Sequence, residues 1–143
     1  MSGENCVRLE FNVSSENFAS AGSASEAVKT RLKLLGINSR DVRRVAIAMY
    51  EGEINMVIHA KGGKATVEIY NDRVEIILAD RGPGIADIDV AMKEGYSTAP
   101  EDIRALGFGA GMGLPNMKKN TDEMRIESNA GVGTTIYMTV KLT

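Results

Sequence analysis

The sequence has a single cysteine, Cys6, among 143 residues. An internal disulfide is therefore impossible, and a metal site built from several cysteines is excluded. No stretch approaches the roughly eighteen consecutive apolar residues that a membrane-spanning helix needs. The first residues, Met1–Asn5, contain neither the basic nor the apolar region of a signal peptide. These absences predict a protein of the reducing cytoplasm that has no membrane partner.

Charge of either sign is not concentrated anywhere in the chain. Nineteen acidic and seventeen basic residues give a formal charge of −2, and no run of about five or six like charges occurs. Nucleic acids are bound by basic patches, so we expect no nucleic acid as partner. The length and the hydrophobic fraction of 43% suit one compact domain over residues 1–143.

Apolar periodicity and turn residues predict an alternation of strands and helices. The expected elements are a strand at 6–13, helices at 18–35 and 38–59, strands at 65–70 and 74–79, a short helix with Pro115 at its first position, and strands at 124–127 and 134–142. Gly36 should end the first helix and Asn38-Ser39 should cap the second. This order predicts an α+β fold, a two-layer sandwich of a mixed, mostly antiparallel sheet with helices on one face.

Two polar residues of the second helix, Glu51 and Asn55, should project from one face. They are four residues apart, which separates them by about 6 Å along the helix axis. They lie opposite the apolar stripe that we expect to pack on the sheet. Taken alone, this spacing is more often a solvated helix face, so its meaning depends on the rest of the site.

An aspartate and two glycines follow the strand predicted at 74–79. Asp80 stands at the end of that strand, with Gly82 and Gly84 directly behind it. A carboxylate in this position can accept a hydrogen bond from an exocyclic amine, and glycines let a flat ring come close to the backbone. The alternative interpretation of the segment is an ordinary turn.

Glycines at alternate positions, Gly107, Gly109, Gly111 and Gly113, precede the helix predicted at Pro115. Backbone N–H groups in such a segment, followed by a helix N-terminus, can bind an anion such as phosphate. The segment lacks the Gly-Lys-Ser/Thr ending of a P-loop and does not fit the dinucleotide-binding pattern. A flexible structural loop is the alternative.

Together these segments resemble the GHKL superfamily of ATP-binding domains. The matching segments are Glu51-x-x-x-Asn55, Asp80-x-Gly-x-Gly84, Gly111-x-Gly113-Leu114 and Gly131-x-Gly133-Thr134. Over nearly its whole length the chain is similar to the anti-sigma-factor serine kinases and especially to the related stress-response switch kinases. The resemblance implies the Bergerat (GHKL) ATP-binding fold, binding of ATP with Mg²⁺, and phosphorylation of a protein.

The resemblance also implies a role for each matching residue. Glu51 would be the general base, Asn55 would ligate Mg²⁺, and Asp80 would receive the adenine amino group. Thr134 would support adenine through its hydroxyl or a water molecule. Gly82 and Gly84 would shape the adenine pocket, Gly109, Gly111 and Gly113 would contact phosphate, and a lid over about 85–110 would cover the nucleotide.

Two functions share this ATP site. The first is a serine/threonine protein kinase that phosphorylates a small STAS-type antagonist in a partner-switching circuit. The second is an ATP-gated regulator that sequesters a sigma factor or phosphatase without transferring phosphate. The presence of Glu51 favours the kinase, because an ATP sensor needs no positioned base. The catalytic half of a histidine kinase fits less well, because the preceding dimerisation helices are missing. The sequence leaves homodimer formation open.

Three residues have no assigned role in this scheme. Glu53 falls within the apolar stripe of its helix, so we expect it to pair with an arginine or to reach solvent at a sheet edge. His59 is the sole histidine. A histidine at a helix end more often interacts with the helix dipole than accepts phosphate or binds a ligand. Arg104 lies in the expected lid, and its role is open.

Overall fold

A computed structural model of the chain describes residues 5–14, 21–59, 62–81, 113–129 and 132–143. These residues contain five strands and three helices in the expected order. The elements are β1 (Val7–Val13), α1 (Ser23–Leu34), α2 (Ser39–His59), β2 (Gly63–Ile69), β3 (Arg73–Asp80), α3 (Gly113–Lys119), β4 (Glu123–Asn129) and β5 (Gly133–Lys141). The described helices include none that is long and apolar enough to cross a membrane.

The five strands form one sheet in the order β1-β2-β3-β5-β4. Every pairing between the described strands is antiparallel. Side chains alternate between buried and more exposed along β3 and β5, because successive residues of a strand point to opposite faces. The apolar face of the sheet packs against the helices, and the predicted α+β sandwich is confirmed.

The core lies between α2 and the sheet. Val45 and Met49 of α2 are fully buried, and so are Val67 of β2 and Ile76 of β3. Burying a side chain of this kind contributes roughly 1.5–3 kcal/mol relative to leaving it exposed. The stripe predicted for α2 therefore faces the sheet, and the opposite face of the helix is left for other contacts.

Helix α1 ends where the sequence predicts and begins later. Gly36 adopts a left-handed φ of 78°, and the N–H groups of Gly36 and Ile37 donate to the carbonyls of Lys33 and Leu32. This is the Schellman arrangement that glycine favours. The predicted start at Phe18 is wrong, because Gly22 has a φ of 98° that no helix interior accepts, and α1 begins at Ser23.

Helix α2 begins as predicted. The side-chain oxygen of Asn38 accepts a hydrogen bond from the backbone N–H of Asp41 at 2.9 Å, which satisfies one of the N–H groups that the first turn leaves without an internal partner. Helix α3 begins at Gly113, so Pro115 is its third residue rather than its first. Proline is tolerated there because N–H groups of the whole first turn lack intrahelical partners.

Candidate functional site

The middle of α2 presents Glu51 and Asn55 on one face, as the four-residue spacing predicts. Both side chains are partly buried. Burial raises the pKa of the Glu51 carboxyl, and a hydrogen bond from the Asn116 side chain opposes that rise without cancelling it. A carboxylate with a raised pKa is a suitable proton acceptor.

The start of α3 lies directly against Asn55. A Cβ atom at Gly113 would stand 2.9 Å from both the oxygen and the nitrogen of the Asn55 amide, closer than real Cβ atoms approach such groups. Glycine at 113 therefore leaves the space that the Asn55 side chain occupies. The glycine expected to contact phosphate is thus next to the amide expected to ligate Mg²⁺.

Next to this site, strand β3 and helix α3 both pack closely against α2 at Gly52. A Cβ atom at Gly52 would overlap the Leu78 side chain of β3 and would lie 3.5 Å from the sulfur of Met117 in α3. Because Gly52 has no side chain, β3 and α3 both reach the turn of α2 that carries Glu51. The sequence offered no signal that singled out this glycine.

Asp80, the last residue of β3, lies on the face of the sheet that packs against the helices, two residues after the buried Leu78. Its carboxylate accepts a hydrogen bond from the backbone N–H of Thr134 at 2.9 Å. The Thr134 hydroxyl in turn shares a hydrogen bond of 2.9 Å with that of Ser128. The two residues predicted to contact adenine are therefore neighbours.

Glycines on both adjacent strands allow this arrangement around Asp80. Gly63 is its partner in the β2 register, and Gly133 precedes Thr134 on β5. A Cβ atom at Gly63 would overlap the carbonyl oxygen of Ala79, and one at Gly133 would overlap that of Asp80. The backbones of β2 and β5 therefore approach the end of β3 at Asp80 more closely than a residue with a side chain at position 63 or 133 would permit.

Both expectations for Glu53 are wrong. Its side chain is buried, with 3% of its surface exposed, so it does not reach solvent, and it forms no ion pair with any arginine of the described segments. The two carboxylate oxygens accept the backbone N–H groups of Ala24 and Ser25 at 3.2 and 3.0 Å. A charged residue in the apolar stripe can thus be buried, because backbone N–H groups in the first turn of the neighbouring helix donate hydrogen bonds to it.

Several predicted residues lie outside the described part of the chain. They are Gly82, Gly84, Gly109, Gly111 and the expected lid at 85–110 with Arg104. Sequence reasoning also missed Asn116, whose side chain lowers the pKa of the Glu51 carboxyl. Its spacing could have indicated it, because residues three apart on a helix are neighbours and Asn116 follows Gly113 by three.

Comparison with known proteins places this site in context. Residues 40–143 match the family described as histidine kinase-, DNA gyrase B-, and HSP90-like ATPase, HATPase_c. The chain is 34% identical to an anti-sigma F factor of Pasteuria penetrans, over 96% of this chain and 91% of that protein. It is 32% identical to the serine/threonine-protein kinase RsbT of Bacillus subtilis (strain 168), over 95% of each chain.

Solved structures share the fold at low sequence identity. The RsbU and RsbW domains of a Mycobacterium tuberculosis protein superimpose with a TM-score of 0.66 at 18% identity, over 95% of this chain and 32% of that one. The mycobacterial sensor histidine kinase MprB superimposes with a TM-score of 0.53 at 17% identity, over 95% of this chain and 98% of that one. With the family match across residues 40–143, these findings show that the chain belongs to the histidine kinase-, DNA gyrase B- and HSP90-like ATPases.

Proposed function

We propose that this protein is an ATP-dependent serine/threonine protein kinase that phosphorylates a small regulatory protein in a partner-switching circuit. The relatives that support this are an anti-sigma F factor and the kinase RsbT, and the similarity covers nearly the full length of each. A STAS-type antagonist is the expected substrate, and a sigma factor or phosphatase is the expected further partner.

The observation that carries the proposal is the position of Glu51. Glu51 lies one helical turn before Asn55, and its half-buried position raises the pKa of its carboxyl. This carboxylate would accept the proton of the substrate serine hydroxyl as that oxygen bonds to the γ-phosphorus of ATP, while the bond from that phosphorus to the bridging oxygen breaks and ADP leaves. An ATP-gated binding regulator requires no such base, which is why transfer is favoured over the alternative.

The described residues fit Mg²⁺-ATP. Asn55 offers a hard amide oxygen beside the space left by Gly113, and Asp80 offers an oriented carboxylate at the end of β3. The described residues contain no cluster of three His, Cys, Asp or Glu side chains that could hold a metal. A Mg²⁺ ion bound by one protein oxygen together with phosphates needs no such cluster. When bound, ATP would supply the phosphoryl group and Mg²⁺ would partly neutralise the charge of the phosphates.

The test is Glu51→Gln, which keeps the shape of the side chain and removes its basicity. We expect the variant to bind ATP and to transfer phosphate about 10²–10⁴-fold more slowly in a single turnover. The measurement uses labelled ATP and purified STAS-domain proteins of the same genome. Because only the deprotonated carboxylate accepts a proton, the wild-type rate should rise with pH through the raised pKa of Glu51 and then level off.

The matched control is Glu75→Gln, the same chemical change on the sheet face that the helices do not cover. Its transfer rate and pH profile should equal those of the wild type. Transfer at the wild-type rate by Glu51→Gln would contradict the role of the base. A wild type that transfers phosphate to no STAS protein would favour the ATP-gated regulator.

A further inference from the structure

Helices α1 and α2 pack side by side and run in opposite directions. The N–H groups of Ala24 and Ser25, at the start of α1, donate to Glu53 in the second half of α2. At the helical rise, Lys33 lies about 13.5 Å along α1 from Ala24. Arg43 lies about 15 Å from Glu53 toward the start of α2, so the two cations are level with each other.

The side of α1 that adjoins α2 carries two lysines. Ser25, Lys29 and Lys33 follow one another at intervals of four residues, so they lie along one side of the helix. Exposure rises along this series, from the buried Ser25 through the half-buried Lys29 to the exposed Lys33. Because the N–H of Ser25 donates to Glu53 of α2, the two lysines border the junction of the helices where it opens to solvent.

The adjoining side of α2 carries a tyrosine and an arginine. Tyr50 contacts the start of α1, since a Cβ atom at Gly22 would lie 3.2 Å from the tyrosine ring. Arg43 precedes Tyr50 by seven residues, which is about two helical turns, so both lie on the same side. Both are exposed to solvent. We call the junction bordered by Lys29, Lys33, Arg43 and Tyr50 the α1–α2 groove.

The three cations of this groove have no ion-pair partner among the residues that the structure describes. Arg44, the neighbour of Arg43, pairs instead with Asp122 at 3.0 Å. The acidic residue Glu26 lies three positions before Lys29 in the first turn of α1, and no ion pair joins the two. Like charges collected on one surface repel each other and attract a ligand of opposite charge.

We propose that the α1–α2 groove binds an acidic segment of a partner protein. Carboxylates of that segment would meet the three cations, and an apolar side chain between them would cover the exposed part of the Tyr50 ring. The groove shares no residue with the proposed nucleotide site, so the inference does not depend on the kinase function.

The charge of the whole chain favours a protein ligand. Domains that bind nucleic acids are typically basic overall, whereas this chain has a formal charge of −2. Helices that lie on membranes present a wide apolar face, whereas the groove offers a single aromatic ring. An acidic segment is repelled by the net charge of this chain and attracted where cations from two helices are brought together.

The probe for this groove is a fluorescently labelled peptide that is rich in glutamate and contains leucines. The same peptide with glutamine in place of each glutamate is the charge control. Fluorescence anisotropy with the full chain should show saturable binding of the acidic peptide and none of the glutamine peptide. Binding should weaken as the salt concentration rises from about 0.05 to 0.3 M, because exposed charges are screened.

Charge reversals on the two sides of the groove test its position. Lys33→Glu should bind the acidic peptide about 3-fold more weakly, and Lys33→Glu combined with Arg43→Glu about 10-fold more weakly, because each replaces an attraction by a repulsion. Arg31→Glu is the matched control. It makes the same reversal in the last turn of the same helix, but residues two apart on a helix do not share a side. It should bind the peptide as the wild type does.

Thermal unfolding and ATP affinity are compared first, and all variants should equal the wild type in both. Equal weakening of peptide binding by Arg31→Glu and Lys33→Glu would overturn the proposal, because the peptide would then respond only to net charge. Absence of saturable binding to the wild type would also overturn it. A thymidine oligonucleotide or phosphatidylserine vesicles that bind more tightly than the peptide, and are lost in the double variant, would replace the protein ligand by a nucleic acid or a membrane.

Discussion

At the scale of single residues, Asp80 shows how one backbone donor orients the carboxylate that we propose recognises adenine. The N–H of Thr134 donates to one carboxylate oxygen at 2.9 Å, which fixes the plane of the carboxylate at the end of β3. A carboxylate accepts at both oxygens, whereas an amide presents an acceptor on one side and donors on the other. In Asp80→Asn the oxygen would face Thr134, and the NH₂ group would face the position expected for the adenine amine.

We therefore expect Asp80→Asn to weaken ATP binding strongly. A hydrogen bond to a charged group contributes about 1.5–3 kcal/mol, which corresponds to roughly 10–100-fold in affinity. Isothermal titration calorimetry with Mg²⁺-ATP measures the change. Asp72→Asn, on the exposed turn between β2 and β3, is the control and should bind ATP normally. Unchanged affinity in Asp80→Asn would remove adenine recognition from this residue.

At the scale of elements, the start of α1 depends on another helix. Its N-cap position is Gly22, which has no side chain to satisfy the first N–H groups. Glu53 of α2 supplies both acceptors instead, through its hydrogen bonds with the N–H groups of Ala24 and Ser25. Negative charge at a helix N-terminus is also favoured by the helix dipole. The two helices are thus joined at the turn of α2 that carries the site.

Glu53→Ala should lower the free energy of unfolding by about 2–4 kcal/mol, because it leaves two buried N–H groups without partners. Urea unfolding followed by circular dichroism measures the loss. Glu53→Gln should lose less, since its amide retains one acceptor oxygen.

Glu26→Ala tests the helix dipole alone. Glu26 is an exposed acidic residue in the first turn of α1, and its removal should cost no more than about 1 kcal/mol. Equal losses in Glu26→Ala and Glu53→Ala would show that the buried hydrogen bonds contribute little.

At the scale of the whole molecule, Asp41 joins the start of α2 to the last residue of the sequence. Its carboxylate is fully buried and accepts hydrogen bonds from the Asn38 side chain at 2.8 Å and from the N–H and hydroxyl of Thr143 at 2.9 and 3.0 Å. Burial alone would raise the pKa of Asp41, but these bonds and the Arg44 charge outweigh it, so the pKa is lowered.

The lowered pKa sets the direction of a pH dependence. A carboxyl whose pKa is lower in the folded state stabilises the protein above its unfolded pKa, about 3.9, and that stability is lost as pH falls through the folded value. Asp41→Asn should therefore be about 1–3 kcal/mol less stable than the wild type at pH 7, and the difference should shrink below about pH 4. Urea unfolding from pH 7 to 3 measures this. Asp72→Asn should follow the wild-type curve, whereas a constant difference for Asp41→Asn would contradict the linkage.

Local signals in the sequence predicted the elements where the deciding residues are close along the chain. Asn38 caps α2 through a residue three positions later, and Gly36 ends α1 through carbonyls a few positions earlier. The boundary errors have equally local causes. A helix start at Phe18 ignored the left-handed Gly22, and a start at Pro115 ignored that proline fits anywhere in a first turn.

The sequence by itself determined that Glu51 and Asn55 share a face, because helical spacing alone sets that geometry. It also determined the order of elements and the family, since glycines and caps act within a few residues. Only the tertiary structure decided the partners of the polar groups. Glu53 meets α1, and Thr134 meets Asp80. Those contacts join residues from 28 to 54 positions apart, so they depend on how whole elements pack and cannot be inferred from any periodicity along the chain.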